Sequence, residues 1–171
     1  KSGERGIFNR KSAITMAEKN GRRNTTDHDF GTNPCSEIIL RSREFCNLSE
    51  VVVRDTDTRE SLLKKVRLAT ILGTFQATLT NFKYVSAAWK NNCEEERLLG
   101  VSLTGIMDCS LTNGKEYFER RSAHRLPTIL QDLKNEAIKI NSEFAKKIGI
   151  NQSVAVTCVK PSGTVSQLVD A

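Results

Sequence analysis

A long amphipathic segment in the last third of the 171-residue chain constrains its fold more than any other feature. Apolar residues recur at helical spacing from Pro127 to Ile148, and Gly149 stands where a C-terminal cap belongs. An alternating strand pattern follows directly, over 153–159. A helix that passes through a short turn into a strand indicates an α/β protein. The predicted buried stripe of the helix is Leu130, Leu133, Ala137, Ile140, Phe144 and Ile148.

Two further helices are predicted in the middle of the chain. Asp57 and Glu60 have the spacing of a capping box, and the helix after them is predicted to reach about Phe82. The segment 94–107 is also predicted to be helical, because its three leading glutamates suit the positive end of a helix dipole. Gly100 and Gly105 within that segment indicate close packing against a neighbour. The apolar positions expected to face the core in the first of these helices are Leu63, Val66, Ile71, Leu72, Phe75, Leu79 and Phe82.

The remaining patterns agree with one α/β domain, as part of a barrel or an open sheet. A short helix is predicted over 12–19 and a buried strand at 51–53. The length allows a real core, and no apolar run is long enough to span a membrane. Five cysteines at irregular spacing favour a reducing compartment, so a cytoplasmic protein is expected.

The net charge of +6 raises the question of a nucleic-acid surface. Its only small cluster is Arg22 with Arg23, and Lys11 and Lys19 lie nearby in the sequence. A solvated face, or a site for phosphorylated small molecules, is the favoured interpretation. Direct nucleic-acid binding is therefore not expected.

The stretch 31–40 places an amide, a thiol and a carboxylate within five residues. Pro34 fixes its own φ and pushes Asn33 towards extended geometry, which favours a stiff loop. On an extended segment Asn33, Cys35 and Glu37 point to one side, because side chains alternate. One short loop can thus present three polar groups to the same small molecule.

The junction after the predicted strand 153–159 is the second informative site. If a helix begins there, the backbone N–H groups of Ser162, Gly163 and Thr164 are free at its N-terminus, which is a place that binds phosphate. The same residues also suit an ordinary turn with a Ser or Thr cap.

The cysteines allow several kinds of chemistry. Cys35 and Cys46 lie eleven residues apart without a Cys or His neighbour that completes a ligand set, so no metal site is predicted. A nucleophilic hydrolase usually needs a His base near its thiol, and neither His28 nor His124 has an evident link to Cys35. The other cysteines are interpreted as structural, since Cys is often buried without a role. They are Cys93, Cys109 and Cys158.

Several motifs in one order resemble the ribonucleotide reductases. Asn33–Ile38 resembles their active-site finger loop, and Glu44–Leu48 resembles the segment that holds the second active-site cysteine. Pro161–Gln167 is similar to the loop that binds the substrate phosphates. The segments 3–10 and 97–105 also resemble this family, so the resemblance covers nearly the whole chain.

The short distance between Cys35 and Cys46 is similar to that in the adenosylcobalamin-dependent (class II) reductases, of the monomeric ribonucleoside-triphosphate type. The resemblance implies that residues 1–171 are a central portion of the catalytic α/β barrel with its finger loop, incomplete on both sides.

The resemblance also implies roles for the residues of the loop. Cys35 would carry a thiyl radical that abstracts the hydrogen from the 3′ carbon of a ribonucleotide, and Glu37 would accept the 3′-hydroxyl proton. Asn33 would hold a ribose hydroxyl. Cys46 would be one of two thiols that protonate the leaving 2′-hydroxyl and supply electrons, with its partner on an upstream strand. The residues expected to bind substrate are Pro34, Ser36, Pro161, Ser162, Gly163, Thr164 and Val165.

The implied activity is the radical reduction of ribonucleoside triphosphates to 2′-deoxyribonucleotides. The implied cofactor is adenosylcobalamin, and the implied partners are the ribonucleotide substrate, the remaining segments of the reductase and a thioredoxin-like reductant. The isolated chain is not expected to turn over. The alternative interpretation is a catalytically silent, basic α/β binding module.

Overall fold

The computed structural model of the chain describes residues 6–19, 21–115 and 125–171. Residues 3–5 of the predicted family segment, and His124, lie outside these ranges. Within them no helix is long and apolar enough to cross a membrane. The helices are α1 (Arg10–Glu18), α2 (Arg59–Gln76), α3 (Ala87–Glu96), α4 (Arg125–Ile148) and α5 (Thr164–Leu168). The strands are β1 (Phe30–Thr32), β2 (Ile39–Arg41), β3 (Asn47–Val52) and β4 (Leu99–Thr104). This mixture confirms the predicted α/β class.

The strands form one hairpin and one parallel pair. β1 and β2 are antiparallel, whereas β3 and β4 run parallel, from Asn47 opposite Leu99 to Val52 opposite Thr104. The predicted strand 153–159 is an extended stretch along the other side of β4, with one parallel bridge between Val101 and Thr157. β4 therefore lies between two parallel neighbours.

The segment 94–107 is the main correction to the predicted fold, because it is not one helix. Helix α3 ends at Glu96, Arg97 adopts a left-handed conformation (φ 47°), and β4 begins at Leu99. Five of the six residues of β4 are buried, since parallel neighbours lie along both edges. Its continuous apolar run is therefore that of a buried parallel strand. The predicted close packing at Gly105 is confirmed, because a Cβ there would stand 2.3 Å from the Val53 carbonyl oxygen.

Helix α2 begins one residue later than the predicted capping box. Its N-cap is Thr58, whose Oγ1 accepts the N–H of Ser61 at 3.2 Å, while the Oγ of Ser61 accepts the N–H of Thr58 at 2.9 Å. Asp57 instead accepts a hydrogen bond from Lys65 Nζ at 2.5 Å. A capping box is present, but its members are not Asp57 and Glu60.

Helix α2 also ends at Gln76 rather than near Phe82. The guanidinium of Arg97 donates to the carbonyl of Ala77 at 2.5 Å, and the hydroxyl of Thr78 donates to the carbonyl of Phe75 at 2.7 Å. These side chains satisfy the last carbonyls of the helix, so the chain can turn away there.

The buried face of α2 differs from the predicted stripe. Leu72, Phe75 and Leu79 are exposed. Small residues take their place against the sheet, and a Cβ on Gly73 would stand 3.5 Å from the side chains of Leu99 and Ser49. The small residues let the helix lie close to β3 and β4. The buried residues of α2 are Leu62, Val66, Ala69, Thr70, Gly73 and Thr74.

Helix α4 packs against α2 and completes the core. The predicted cap is confirmed, since Gly149 has a φ of 73° and its N–H donates to the Lys146 carbonyl at 3.3 Å. The predicted stripe is correct in its centre, where Leu133, Ala137 and Ile140 are buried. It is wrong at its ends, where Ile129 and Ala145 are buried instead of Leu130 and Phe144. The buried residues of α4 are Ile129, Leu133, Ala137, Ile140, Asn141 and Ala145.

A buried ion network attaches the β1–β2 hairpin to the end of α3. The guanidinium of Arg23 lies 2.6 Å from Glu96 Oε2 and 3.2 Å from Glu44 Oε2, and it also donates to the Ile39 carbonyl at 2.7 Å. Glu44 Oε2 accepts the backbone N–H of Arg41 at 2.8 Å. The side chain of Arg23 is only 3% exposed, so it belongs to this network and not to a basic surface.

Glu44 is the residue of this network whose pKa is clearly shifted. Burial and the neighbouring Glu96 together raise the pKa of its carboxyl to about 8, against the opposing effects of the Arg41 N–H and Arg23. In the folded chain this carboxyl therefore holds a proton that an unfolded chain releases near pH 4.5. Its contribution to stability is present below that pH and is lost as the pH rises towards 8.

We expect the free energy of unfolding to fall on the order of 1–3 kcal/mol between about pH 5 and about pH 8, and Glu44→Gln to flatten this dependence. Urea unfolding followed by circular dichroism at several pH values measures it. The exposed Glu60→Gln is the matched control and should keep the wild-type slope. An unchanged slope in Glu44→Gln would contradict the assignment.

Candidate active site

The loop between β1 and β2 is a tight turn, not an extended segment. The N–H of Ser36 donates to the Asn33 carbonyl at 3.0 Å, and the N–H of Asn33 donates to the Ile38 carbonyl at 3.3 Å. Ser36 has a φ of 65°, in the left-handed region that tight turns use. The predicted alignment of three side chains on one face is therefore wrong. Cys35 is exposed, whereas the side chain of Glu37 is 3% exposed.

Asn33 holds this turn together. Its Oδ1 accepts the N–H of Ile38 at 3.1 Å, in the manner of an amide that replaces a backbone partner. Its amide group also favours the ionised form of Glu37. Asn33 therefore positions the carboxylate, and its contact with a ribose hydroxyl stays a prediction.

Glu37 is a buried carboxylate with unused hydrogen-bonding capacity. Neither of its oxygens accepts a hydrogen bond from the residues that the structure describes, although Lys160 Nζ lies 3.7 Å from Oε1. Burial by itself raises the pKa of Glu37, but the Asn33 amide, the Glu37 backbone N–H and the Lys160 cation together hold it below its ordinary value. The site thus contains an ionised acceptor that is free to take a hydrogen bond.

Cys46 is fixed by its neighbours on both sides. The ring of Phe45 stacks on Trp89 with ring centroids 4.6 Å apart. The backbone N–H and the side-chain amide of Asn47 both donate to the Leu98 carbonyl at 3.0 Å. These contacts hold the residues on both sides of Cys46 in place.

A second thiol stands close to Cys46, where β4 carries Gly100. A Cβ on Gly100 would lie 2.5 Å from Leu48 Cδ2, 3.0 Å from Cys158 Sγ and 3.2 Å from Cys46 Sγ. The absence of a side chain at Gly100 therefore makes the room that both sulfurs occupy. The predicted close packing at this glycine is confirmed.

Burial and nearby charge keep both thiols protonated. Burial raises the pKa of Cys46 far above its ordinary value, and Cys158, Glu37 and Glu44 raise it further. Burial and the charge of Glu37 raise the pKa of Cys158 to about 11, against the opposing effect of Lys160. The carboxylate of Glu37 therefore acts on both sulfurs.

The predicted phosphate loop follows Cys158 directly. The backbone N–H of Lys160 donates to Ser102 Oγ at 3.0 Å, which ties the start of the loop to β4. The hydroxyl of Ser162 donates to Glu50 Oε1, on β3. The expected helix is present as α5, five residues long, with Gly163 as its N-cap. Phosphate binding by residues 161–165 stays a prediction.

The structure thus brings part of the predicted site together. Glu37 and Cys46 lie close to each other, and Lys160 links Glu37 to the loop that follows. The thiol of Cys35 stands apart on the exposed turn and makes no hydrogen bond or ion pair within the described ranges. No cluster of three His, Cys, Asp or Glu side chains in those ranges could hold a metal ion.

Sequence reasoning missed two functional candidates, Lys160 and Cys158. Lys160 directly precedes the predicted phosphate loop, and that position was the available signal. Cys158 carried no signal of its own, because its proximity to Cys46 depends on how the strands pair.

Comparison with known proteins defines the class of the chain. Residues 8–168 match the family model described as the ribonucleotide reductase barrel domain. The chain belongs to this family, as its motifs predicted.

Individual relatives show which proteins of this family the chain is similar to. The adenosylcobalamin-dependent ribonucleoside-triphosphate reductase of Lactobacillus leichmannii is 30% identical over 158 residues, which cover 82% of this chain and 21% of that protein. The protein of the same name from Euglena gracilis is 27% identical and covers 99% of this chain and 22% of its own length. A solved B-12-dependent (class II) ribonucleotide reductase has a TM-score of 0.63 and 25% identity, over 85% of this chain and 22% of that one. The chain spans about a fifth of the length of these relatives.

We expect Lys160→Met to raise the pKa of Glu37, because the carboxylate stays buried while the nearest cation is lost. Nuclear magnetic resonance of the labelled Glu37 carboxyl, followed against pH, measures the change. Lys139→Met, on the exposed face of α4, is the matched control. An unchanged pKa in Lys160→Met would show that the Asn33 amide and the backbone alone keep Glu37 ionised.

We also expect iodoacetamide to modify Cys35 about ten times faster, or more, than Cys46 at neutral pH. Cys35 is exposed, whereas burial raises the pKa of Cys46 and so keeps its reactive thiolate scarce. Mass spectrometry of quenched time points gives the rate for each cysteine. Equal rates at Cys35 and Cys46 would contradict the described environment.

Proposed function

We propose that this chain is a catalytic part of an adenosylcobalamin-dependent reductase that converts ribonucleoside triphosphates to 2′-deoxyribonucleotides. The observation that carries the proposal is the Glu37 carboxylate, which is buried and ionised, accepts no hydrogen bond from the described residues, and raises the pKa of the Cys46 thiol. Such a group can accept a hydrogen bond from a bound hydroxyl, which is the geometry that a general base needs. The named relatives support the same reaction.

In the proposed reaction Cys35 starts the chemistry on the ribose. Adenosylcobalamin, when bound, supplies the radical chemistry, and the exposed position of the Cys35 thiol fits a group that approaches from outside the described residues. The Cys35 thiyl takes the hydrogen atom from the 3′ carbon, since S–H and ribose C–H bonds are close enough in strength for reversible transfer. Glu37 accepts the proton of the 3′-hydroxyl.

Cys46 then acts as a proton donor and reductant. Burial and negative neighbours raise its pKa, so its thiol is protonated when the 2′-hydroxyl leaves as water. Cys46 and a second thiol supply the two electrons and close to a disulfide. The neighbouring loop 161–165 is proposed to hold the substrate phosphates.

The assembly around this chain is part of the proposal. It includes the remaining segments of the reductase and a thioredoxin-like reductant that opens the disulfide after each turnover. A cytoplasmic location agrees with this cycle, because a reducing compartment keeps the thiols available between turnovers.

One argument for the alternative of a basic binding module, the cluster of Arg22 and Arg23, is weaker in the folded chain. Arg23 is buried against Glu44 and Glu96, and Arg22 donates to the Val154 carbonyl at 3.2 Å. Both arginines of the cluster are therefore engaged by partners within the chain, and Arg23 is also buried.

Cys35→Ser in the assembled reductase is expected to abolish nucleotide reduction, because a serine hydroxyl does not form a radical of matching bond strength. The measurement is deoxyribonucleotide formation from a ribonucleoside triphosphate, with bound nucleotide recorded in parallel. Cys109→Ser, at a buried cysteine outside the site, is the matched control and should retain activity. Turnover that survives Cys35→Ser would overturn the proposed function.

A further inference from the structure

Lys160 lies between two parts of the site that the proposed reaction uses. Its Nζ stands 3.7 Å from Glu37 Oε1, and its backbone directly precedes the loop 161–165 that is proposed to hold the substrate phosphates. The side chain of Lys160 is 28% exposed, whereas that of Glu37 is 3% exposed. One cation is therefore next to a buried carboxylate in space and next to the loop along the chain.

The backbone of Lys160 is fixed, but its ammonium group is held less firmly. The backbone N–H donates to Ser102 Oγ on β4 at 3.0 Å, and the hydroxyl of Ser162 in the loop donates to Glu50 on β3. The distance of 3.7 Å from Nζ to Glu37 is that of an ion pair and is too long for a hydrogen bond. The ammonium group can thus change its partner by rotation of a flexible four-carbon side chain, while the loop stays in place.

The charges around the loop create a need for this cation when phosphates bind. Lys160 is the only Lys or Arg in the segment 151–171. Glu50 contacts the loop, and Glu37 lies behind Lys160, so a triphosphate in the loop meets two carboxylates. Arg54 also contacts this segment, but its guanidinium donates to two backbone carbonyls at the end of α5. Lys160 is therefore placed to supply the positive charge.

The same cation acts on Glu37. Burial raises the pKa of Glu37, but the Asn33 amide, the Glu37 backbone N–H and the Lys160 cation together hold it below its ordinary value. The thiols of Cys46 and Cys158, which also lie near this carboxylate, are protonated. When the cation moves to a phosphate, Glu37 stays buried without its charged partner, so its pKa rises. A base whose pKa is closer to the working pH accepts a proton more readily.

We propose that Lys160 is a substrate-binding residue that pairs with Glu37 in the free enzyme and with the phosphates of a bound ribonucleoside triphosphate. The change of partner couples the two parts of the site, because Glu37 becomes a stronger base only when phosphates occupy the loop. The proton of the 3′-hydroxyl goes to Glu37, as in the proposed reaction. This assignment rests on the proposed function and adds Lys160 to it.

The first test uses the assembled reductase without adenosylcobalamin, so that a ribonucleoside triphosphate binds without turnover. Nuclear magnetic resonance of the labelled Glu37 carboxyl, followed against pH, should give a higher pKa in this complex than in the complex with the same ribonucleoside lacking phosphates. In Lys160→Met the saturating triphosphate should change the pKa of Glu37 less than in the wild type. Equal changes in both proteins would overturn the assignment, because the phosphate charge alone would then explain them.

The affinity for the triphosphate is the second test. Lys160→Met should weaken binding about tenfold, as expected for one lost charge-assisted contact, and Lys160→Arg should recover part of the loss. Lys139→Met, on the exposed face of α4, is the matched control and should bind as the wild type does. Isothermal titration calorimetry measures these affinities. Wild-type affinity in Lys160→Met would contradict a contact with the phosphates.

Turnover separates this assignment from the proposed function. The pH profile of kcat reports the substrate complex and that of kcat/KM reports the free enzyme, so the lower pKa should be higher in kcat for the wild type. In Lys160→Met the two values should move together. If the triphosphate raises the pKa of Glu37 but no assembly reduces nucleotides, the proposed function fails while the role of Lys160 stands. If the bound triphosphate leaves the pKa of Glu37 unchanged, the role of Lys160 fails, whatever the turnover.

Discussion

The buried ion network around Arg23 is the interaction on which the rest of the site depends. One guanidinium joins Glu44 and Glu96, so it binds the hairpin connection to the point where α3 turns into β4. Cys46 follows Glu44 by two residues, and its location is therefore set by this contact as much as by β3. Because Glu44 keeps its proton below about pH 8, the charged partner of the guanidinium is Glu96, and this pairing offsets part of the cost of burying both charges.

Strand β4 determines where the segments on either side of it lie. Parallel neighbours on both sides bring the residues before β3 and after Thr157 to the same region of the sheet. Because Gly100 has no side chain, the sulfurs of Cys46 and Cys158 can both lie in this region. A methyl group at this position would crowd both of them. The carboxylate of Glu37 reaches the same region from the hairpin loop.

Motif residues could be predicted from the sequence, but their spatial arrangement could not. The family followed from the motifs around Cys35 and Cys46, and the cap at Gly149 followed from local chemistry. The prediction of one helix over 94–107 was wrong, because a continuous apolar run has no period that separates a helix from a buried strand. The strand conformation of this segment depends on neighbours far away in the chain. The prediction of an extended loop around Ser36 was wrong for a related reason. Pro34 indicates a stiff loop but does not specify its conformation.

The environment of Cys46 and Cys158 also determines how easily these two thiols are oxidised. Small oxidants attack thiolates, and a sulfur that is kept protonated by burial and by a nearby carboxylate reacts slowly with them. The negative charge of Glu37 thus protects both sulfurs by keeping the fraction of thiolate low. Burial and the charge of Glu37 thus slow the oxidation of both thiols by peroxide and oxygen.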